Sequence, residues 1–273
     1  MAFFGSRGLN LHYRELGEGT VFAFQHGLGA SMAQTFDLFE SVAGIRLIGF
    51  DARGHGLSEL GPPGEIGLST SADDLLSLLD FLEVKQAIVG GISMGAAIAL
   101  NFARRYPQRT MGLVLIRPAW LAEPNAFNVR IFSLVAEFIE TDGPEVGRLK
   151  FQQSPEYRQL MGEYPQTAES LLGQFTGPRV SDAVAILRRI ARDSPIRSMA
   201  ELADISVPTL VLANRQDPIH PFEYGPALAA GIRAAEFQEI PSKSADVTRH
   251  IEQTRHFLRQ FMTHHFLKAA TTL

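Results

Sequence analysis

The sequence predicts an α/β fold: a mostly parallel, doubly wound sheet with a helical segment inserted in its second half. Three observations predict it. Short β-type runs alternate with helix-type segments, the order that builds a parallel sheet covered on both faces. One strand-to-helix junction carries a serine between glycines, Gly90-Gly91-Ile92-Ser93-Met94-Gly95-Ala96. About ninety residues without a convincing strand then separate two strand-type runs, too long a stretch for a loop of a compact domain.

The elements follow in order. Val21-Phe22-Ala23-Phe24-Gln25 reads as a buried strand ending at His26-Gly27, and Arg46 to Phe50 as the next, ending at Asp51. A helix is expected after Ser69-Thr70-Ser71, with Asp73 and Asp74 favourable in its first turn. Its Leu75, Leu78, Leu79 and Leu82 form one apolar stripe at i, i+3, i+4, i+7. Gln86 to Gly90 is a third strand. Met94 to Ala103 is apolar nearly all round, as a helix buried against a sheet should be, and Arg104-Arg105-Tyr106-Pro107 ends it. Met111 to Ile116, Val207 to Leu212 and Glu236 to Ile240 complete the strands, and a closing helix carries Val247, Ile251, Leu258 and Met262. The segment between residues 116 and 207 is aromatic and helical in its periodicity, including Phe127, Phe132, Phe138, Tyr157 and Phe175. Residues 1–118 and 201–273 are therefore expected to form the core, and residues 119–200 a helical lid.

Composition narrows the function. The chain has 273 residues with 45% hydrophobic and 20% charged, which suits a globular domain and not a disordered one. Its 25 basic and 29 acidic residues leave a net charge of −4, with no basic excess to neutralise nucleic-acid phosphates. There is no cysteine, so disulfides, thiolate metal sites and a cysteine nucleophile are excluded. The N-terminus does not read as a signal peptide and no apolar run is long enough to span a membrane, so no membrane partner and a cytoplasmic setting are expected. No His/Asp/Glu grouping has metal-ligand spacing, and neither metal nor other cofactor is implied.

The chemistry centres on Ser93. A sharp turn from strand to helix holds such a serine in a strained conformation and pushes its Oγ out over the sheet edge. Glycine at 91 and 95 is required because side chains there would collide with the neighbouring strand and helix. The turn also aims a helix N-terminus at developing negative charge.

With these residues in view, the chain resembles the α/β-hydrolase superfamily over everything except the insertion. His26-Gly27-Leu28-Gly29 resembles the loop that completes an oxyanion hole, which implies the backbone N–H groups of Leu28 and Met94 as its donors. Asp51-Ala52-Arg53-Gly54-His55-Gly56-Leu57-Ser58 resembles a family signature whose arginine and histidine are structural, and His26 is read as a loop brace. Val207 to Leu212 followed by Asn214-Arg215-Gln216-Asp217-Pro218 resembles the strand-then-aspartate segment, which implies Asp217 as the triad acid.

The histidine departs from the pattern. The family carries Gly-His soon after the last strand, here near Asp246 or Val247, and neither position is histidine. His250 is the first histidine in the order serine, aspartate, histidine, and is expected as the base. His220 is set aside as too near the acid. Trp120, just past a strand end, is the candidate substrate-binding aromatic, while Arg117 could meet a substrate carboxylate or form an internal salt bridge. The expected activity is serine hydrolysis of a small acyl substrate, an ester or lactone, through an acyl-enzyme. Carbon–carbon bond hydrolysis, acyl transfer, cofactor-free peroxidation and a non-catalytic receptor remain as alternatives, the last because of the displaced histidine.

Overall fold

A computed structural model describes residues 1–177 and 179–267. Eight strands form one sheet: β1 (Ala2–Ser6), β2 (Leu9–Leu16), β3 (Thr20–Gln25), β4 (Ile45–Phe50), β5 (Ala87–Ile92), β6 (Thr110–Ile116), β7 (Thr209–Ala213) and β8 (Ala235–Glu239). Their spatial order is β1-β2-β4-β3-β5-β6-β7-β8. From β4 to β8 every neighbouring pair is parallel. The β1–β2 and β2–β4 pairs are antiparallel. The six expected strands are present within a residue or two. The β1–β2 hairpin was not anticipated; its turn, Arg7-Gly8, has positive φ at both residues, as a two-residue hairpin connection demands.

Nine α-helices surround the sheet among the described residues. They are α1 (Ala33–Leu38), α2 (Leu68–Phe81), α3 (Met94–Arg105), α4 (Arg130–Gln153), α5 (Pro155–Glu163), α6 (Pro165–Leu172), α7 (Val180–Ala191), α8 (Tyr224–Gly231) and α9 (Val247–Phe266). Alternate strand residues feed two cores, one on each face. Val21 and Ala23 of β3 join Leu75 of α2 and Ile98 of α3, whereas Phe22 and Phe24 join Phe36 of α1 and Leu258 of α9. No helix among the described residues is long and apolar enough to cross a membrane.

Helix α2 begins at Leu68, earlier than expected, so Asp73 and Asp74 do not lie in its first turn. Asp74 instead faces inward and takes a two-pronged pair of hydrogen bonds from buried Arg53, at 2.8 and 2.9 Å. That pairing explains a fully buried carboxylate, since each charge satisfies the other.

Between β6 and β7 lie α4 to α7, with no strand among the described residues. Helix α4 bends where Gly143, at φ 77°, precedes Pro144, a combination that cannot continue the helical ladder. Within the segment, fully buried Phe151 packs against Phe138, Tyr157 and Phe175 at centroid distances of 5.4–5.9 Å, and these aromatics are continuous with the core that holds Val89, Ile98 and Leu115. It is anchored to the rest by polar contacts. Asn128 donates to the carbonyls of Ala119 and Ile219, and the Leu68 N–H donates to Asp193.

Candidate active site

All the site residues lie on segments at the C-terminal ends of parallel strands, where an open α/β sheet presents its loops and its ligand crevice. Ser93 links β5 to α3 with φ 56° and ψ −112°, a conformation that costs a non-glycine residue energy and persists only where the surroundings enforce it. The surroundings are tight. A Cβ on Gly91 would lie 2.0 Å from the Gly95 carbonyl carbon, and one on Gly95 would lie 2.2 Å from the carbonyl oxygen of Gln25. Only glycine lets β5, the start of α3 and the end of β3 approach this closely.

The ring beside Ser93 belongs to His220. Its Nε2 is 2.9 Å from Ser93 Oγ, and its Nδ1 is 2.9 Å from Asp217 Oδ1. The sequence expectation for His250 is corrected here. His250 sits in the first turn of α9, where its Nδ1 donates to the Pro241 carbonyl at 2.8 Å, bracing the loop between β8 and α9. The ring that meets both Ser93 and Asp217 is the one that sequence reasoning judged too close to the acid. A spacing of three suffices because the chain turns back on itself. The N–H groups of Ile219 and His220 both approach Asp217 Oδ1 at 3.3 Å, so the aspartate organises its own turn and the His220 ring swings back over the carboxylate.

Arg117, just beyond β6, adopts φ 49° and reaches the same aspartate, with Nη2 at 2.5 Å and Nε at 3.1 Å from Oδ2. It is an internal salt bridge, one of the two outcomes left open. Its Nη2 also lies 3.2 Å from His220 Nδ1, so two donors crowd one carboxylate.

The charge states follow from these contacts. Burial alone would raise the Asp217 carboxyl, but the charges and hydrogen bonds of His220 and Arg117 outweigh it and hold the group well below the usual carboxylate range. His220 is pushed below the ordinary histidine value by burial first and by the Arg117 cation second, against the opposing pull of Asp217. The ring is therefore neutral near pH 7, with Nδ1–H facing the carboxylate and Nε2 free to accept from the serine hydroxyl.

The other expected residues fall as follows. Leu28 lines the cavity that holds Ser93, Asp217 and His220. Met94 opens α3, so its N–H is among the first-turn donors that a helix leaves unpaired. His26 and His55 are braces: each Nδ1 faces a carbonyl, of Gly27 and Arg53, and each Nε2 accepts a backbone N–H, of Ala52 and Gly29. Trp120 does not line the cavity. It is 1% exposed within the hydrophobic core, so the aromatic side chain from this part of the chain that does face the cavity is Phe132.

The cavity measures about 150 Å³. Gln166, Leu171 and Gln174 of the inserted segment close one side of it, and Lys243 and Ser244 of the β8–α9 loop stand on another. A larger cavity of about 410 Å³ adjoins it, sharing Leu28 and Gln174, but holds none of the three residues in the hydrogen-bonded chain.

Comparison with known proteins gives the family. The family profile for the alpha/beta hydrolase fold matches residues 20–245. The AB hydrolase superfamily protein YisY of Bacillus subtilis is 30% identical over 244 residues, covering 84% of this chain and 85% of that one. A putative carbamate hydrolase of Agrobacterium fabrum is 28% identical, covering 83% and 86%. Among solved structures, a thermophilic esterase from Thermogutta terrifontis is 26% identical, with a TM-score of 0.71 over 95% of this chain and 98% of that one.

Proposed function

The chain belongs to the α/β-hydrolase family, and from that premise we propose that it is a serine hydrolase of small ester or lactone substrates, with Ser93, His220 and Asp217 as its triad. One observation carries the reading: a neutral, buried imidazole bridges the strained serine and a carboxylate at hydrogen-bond distance on both sides. The relatives support a hydrolytic reaction at a carbonyl, being an esterase and a putative carbamate hydrolase. With His220 in reach of Ser93, a non-catalytic receptor loses the missing histidine that motivated it.

In this mechanism His220 Nε2 takes the Ser93 proton as Oγ attacks the carbonyl carbon. Asp217 holds the ring in the tautomer that leaves Nε2 unprotonated, and stabilises the imidazolium once it forms. The N–H groups of Leu28 and Met94 stabilise the oxyanion of the tetrahedral intermediate, each worth roughly 3–4 kcal/mol in comparable sites. His220 then protonates the leaving oxygen and, in the second half, deprotonates the water that releases the acyl group. Residues 119–200 would serve as the lid in this reading, which is supported by Phe132, Gln166, Leu171 and Gln174 lining the cavity that holds Ser93.

The test is covalent labelling with a fluorophosphonate followed by peptide mass spectrometry. The adduct is expected on Ser93, and Ser93→Ala should abolish it while lowering ester turnover by about a thousandfold or more. An adduct elsewhere, or turnover that survives the substitution, would sink the assignment.

A further inference from the structure

We propose that the cavity selects small acyl substrates bearing a free carboxylate near the scissile carbonyl, and that the Lys243 ammonium is the group that binds this carboxylate. The proposal rests on the acyl-transfer reading above and adds the substrate class. Three charged side chains line the cavity: Arg117, Asp217 and Lys243. Arg117 and Asp217 are spent on each other at 2.5 Å. Lys243 is left over, and among the described residues its ammonium takes part in no ion pair. The cavity wall therefore carries one uncompensated positive charge, on a protein whose net charge is −4. Such a local reversal of sign in a crevice draws in small anions that the rest of the surface repels.

The lysine is held in place. Asp246 N–H donates to the Ser242 carbonyl at 3.0 Å, and Ala245 N–H donates to the same carbonyl at 3.1 Å. Two residues before Lys243, the Pro241 carbonyl accepts from buried His250. The loop is thus a closed turn fixed to the first turn of α9, and the lysine Cα has a set position even though its side chain is exposed. Partial burial, and after it the Arg117 cation, weaken the ammonium's hold on its proton, with Asp217 opposing. An incoming carboxylate relieves that excess of positive charge. The cavity, at about 150 Å³, falls short of the roughly 300 Å³ and more of drug-sized ligand pockets.

The experiment compares two substrates that differ by one charge at the same length, monoethyl succinate and ethyl succinamate, through ethanol release. In the wild-type protein, kcat/KM should favour the carboxylate by roughly twofold to fivefold, the scale of an ion pair to an exposed ammonium, and the preference should shrink as salt is raised. Lys243→Met should bring the ratio near one, Lys243→Glu should invert it, and Lys243→Arg should keep most of it. A wild-type ratio of one, or a ratio that Lys243→Met leaves intact, overturns the proposal. The same two compounds titrated calorimetrically into Ser93→Ala protein read binding without turnover. If neither ester is hydrolysed, the acyl-transfer reading fails, while tighter binding of the carboxylate that disappears in Lys243→Met still upholds the anion site, and equal binding overturns it.

Discussion

The loops that follow β7 and β8 lie side by side at one sheet edge and hold their histidines in opposite ways. After β7, Asp217 and His220 are three residues apart and their side chains meet, with the second ring nitrogen turned to Ser93. After β8, Lys243 stands at the cavity while His250 points its Nδ1 at the carbonyl of Pro241. The difference lies in the partner of Nδ1. A carboxylate partner stabilises the protonated ring that a base must become, whereas a carbonyl partner fixes a neutral ring in place. His26 and His55 are of the second kind, each with Nδ1 at a carbonyl and Nε2 already occupied by a backbone N–H.

The largest expected effect breaks or makes this contrast. His220→Ala should lower ester turnover by about a thousandfold or more, and Ser93→Ala combined with it should cost little extra, because members of a triad act as one unit. His250→Ala should leave far more activity and act chiefly through the loop it braces. Steady-state kinetics of the three variants decides. Near-complete loss in His250→Ala with normal turnover in His220→Ala would reverse the assignment.

Acid stability probes the braces. Burial is the main reason that both His26 and His55 lie below the ordinary histidine value of 6.5, and His55 is held at about 3. Folded-state values that are lowered mean that the unfolded chain takes up protons first. The stabilisation is complete above about pH 6.5 and is lost as pH falls toward 3, by about 1.4 kcal/mol per pH unit for each proton taken up only on unfolding. Urea denaturation between pH 7 and 4 should show this decline, and His55→Gln should flatten it. A slope that the substitution leaves unchanged would mean that other groups control it.

These contrasts also mark what could be read from residues alone. The serine turn was legible because its glycines answer a local steric demand, visible in seven consecutive residues. Asp217 was legible because Val207 to Leu212 followed by Asn214-Arg215-Gln216-Asp217 resembles the family's strand-then-aspartate segment. His220 was not, since the family order puts the histidine after the last strand, and nothing in the residues before the turn is built shows that Asp217 caps it and brings the ring back over its carboxylate. Asp217-Pro218-Ile219-His220 was nonetheless a usable signal once the last loop was found to lack a histidine. Trp120 was misplaced because a strand end says nothing about which way the next side chains face. The β1–β2 hairpin went unseen although buried Phe4 and Ser6 alternate with exposed neighbours before Arg7-Gly8. Its strands are short, and one face of each is solvated, which weakens the apolar signal.

A smaller effect tests how the β7 loop tunes its base. Arg117 contributes to keeping His220 below the ordinary histidine value, second to burial. Replacing it by methionine removes the cation and leaves the attraction of Asp217, so the His220 value should rise. In the proposed mechanism the neutral ring is the active form, so the acid limb of kcat/KM should move to higher pH, whereas Arg117→Lys should keep it near the wild-type position. An unmoved limb, or one shifted to lower pH, would show that the guanidinium has no electrostatic hold on the base.

The smallest expected effect concerns the β8 loop. Asp246 caps α9, its Oδ1 accepting the Arg249 N–H at 2.9 Å, while the His250 N–H bonds to the Asp246 carbonyl at 3.0 Å. Asp246→Ala should cost about 1 kcal/mol of stability, the usual value of a helix N-cap, and Asp246→Asn should cost less because the amide oxygen can still accept. The cap fixes the start of α9 and with it the loop that carries Lys243, away from Ser93 and His220, so the variant should weaken discrimination between carboxylate and amide substrates more than it slows turnover of the amide. A denaturation midpoint alongside the two-substrate ratio separates these effects. If Asp246→Ala instead lowers both rates equally, the β8 loop also shapes the ground on which Ser93 and His220 work, and the division of labour between the two loops is less sharp than their hydrogen bonds suggest.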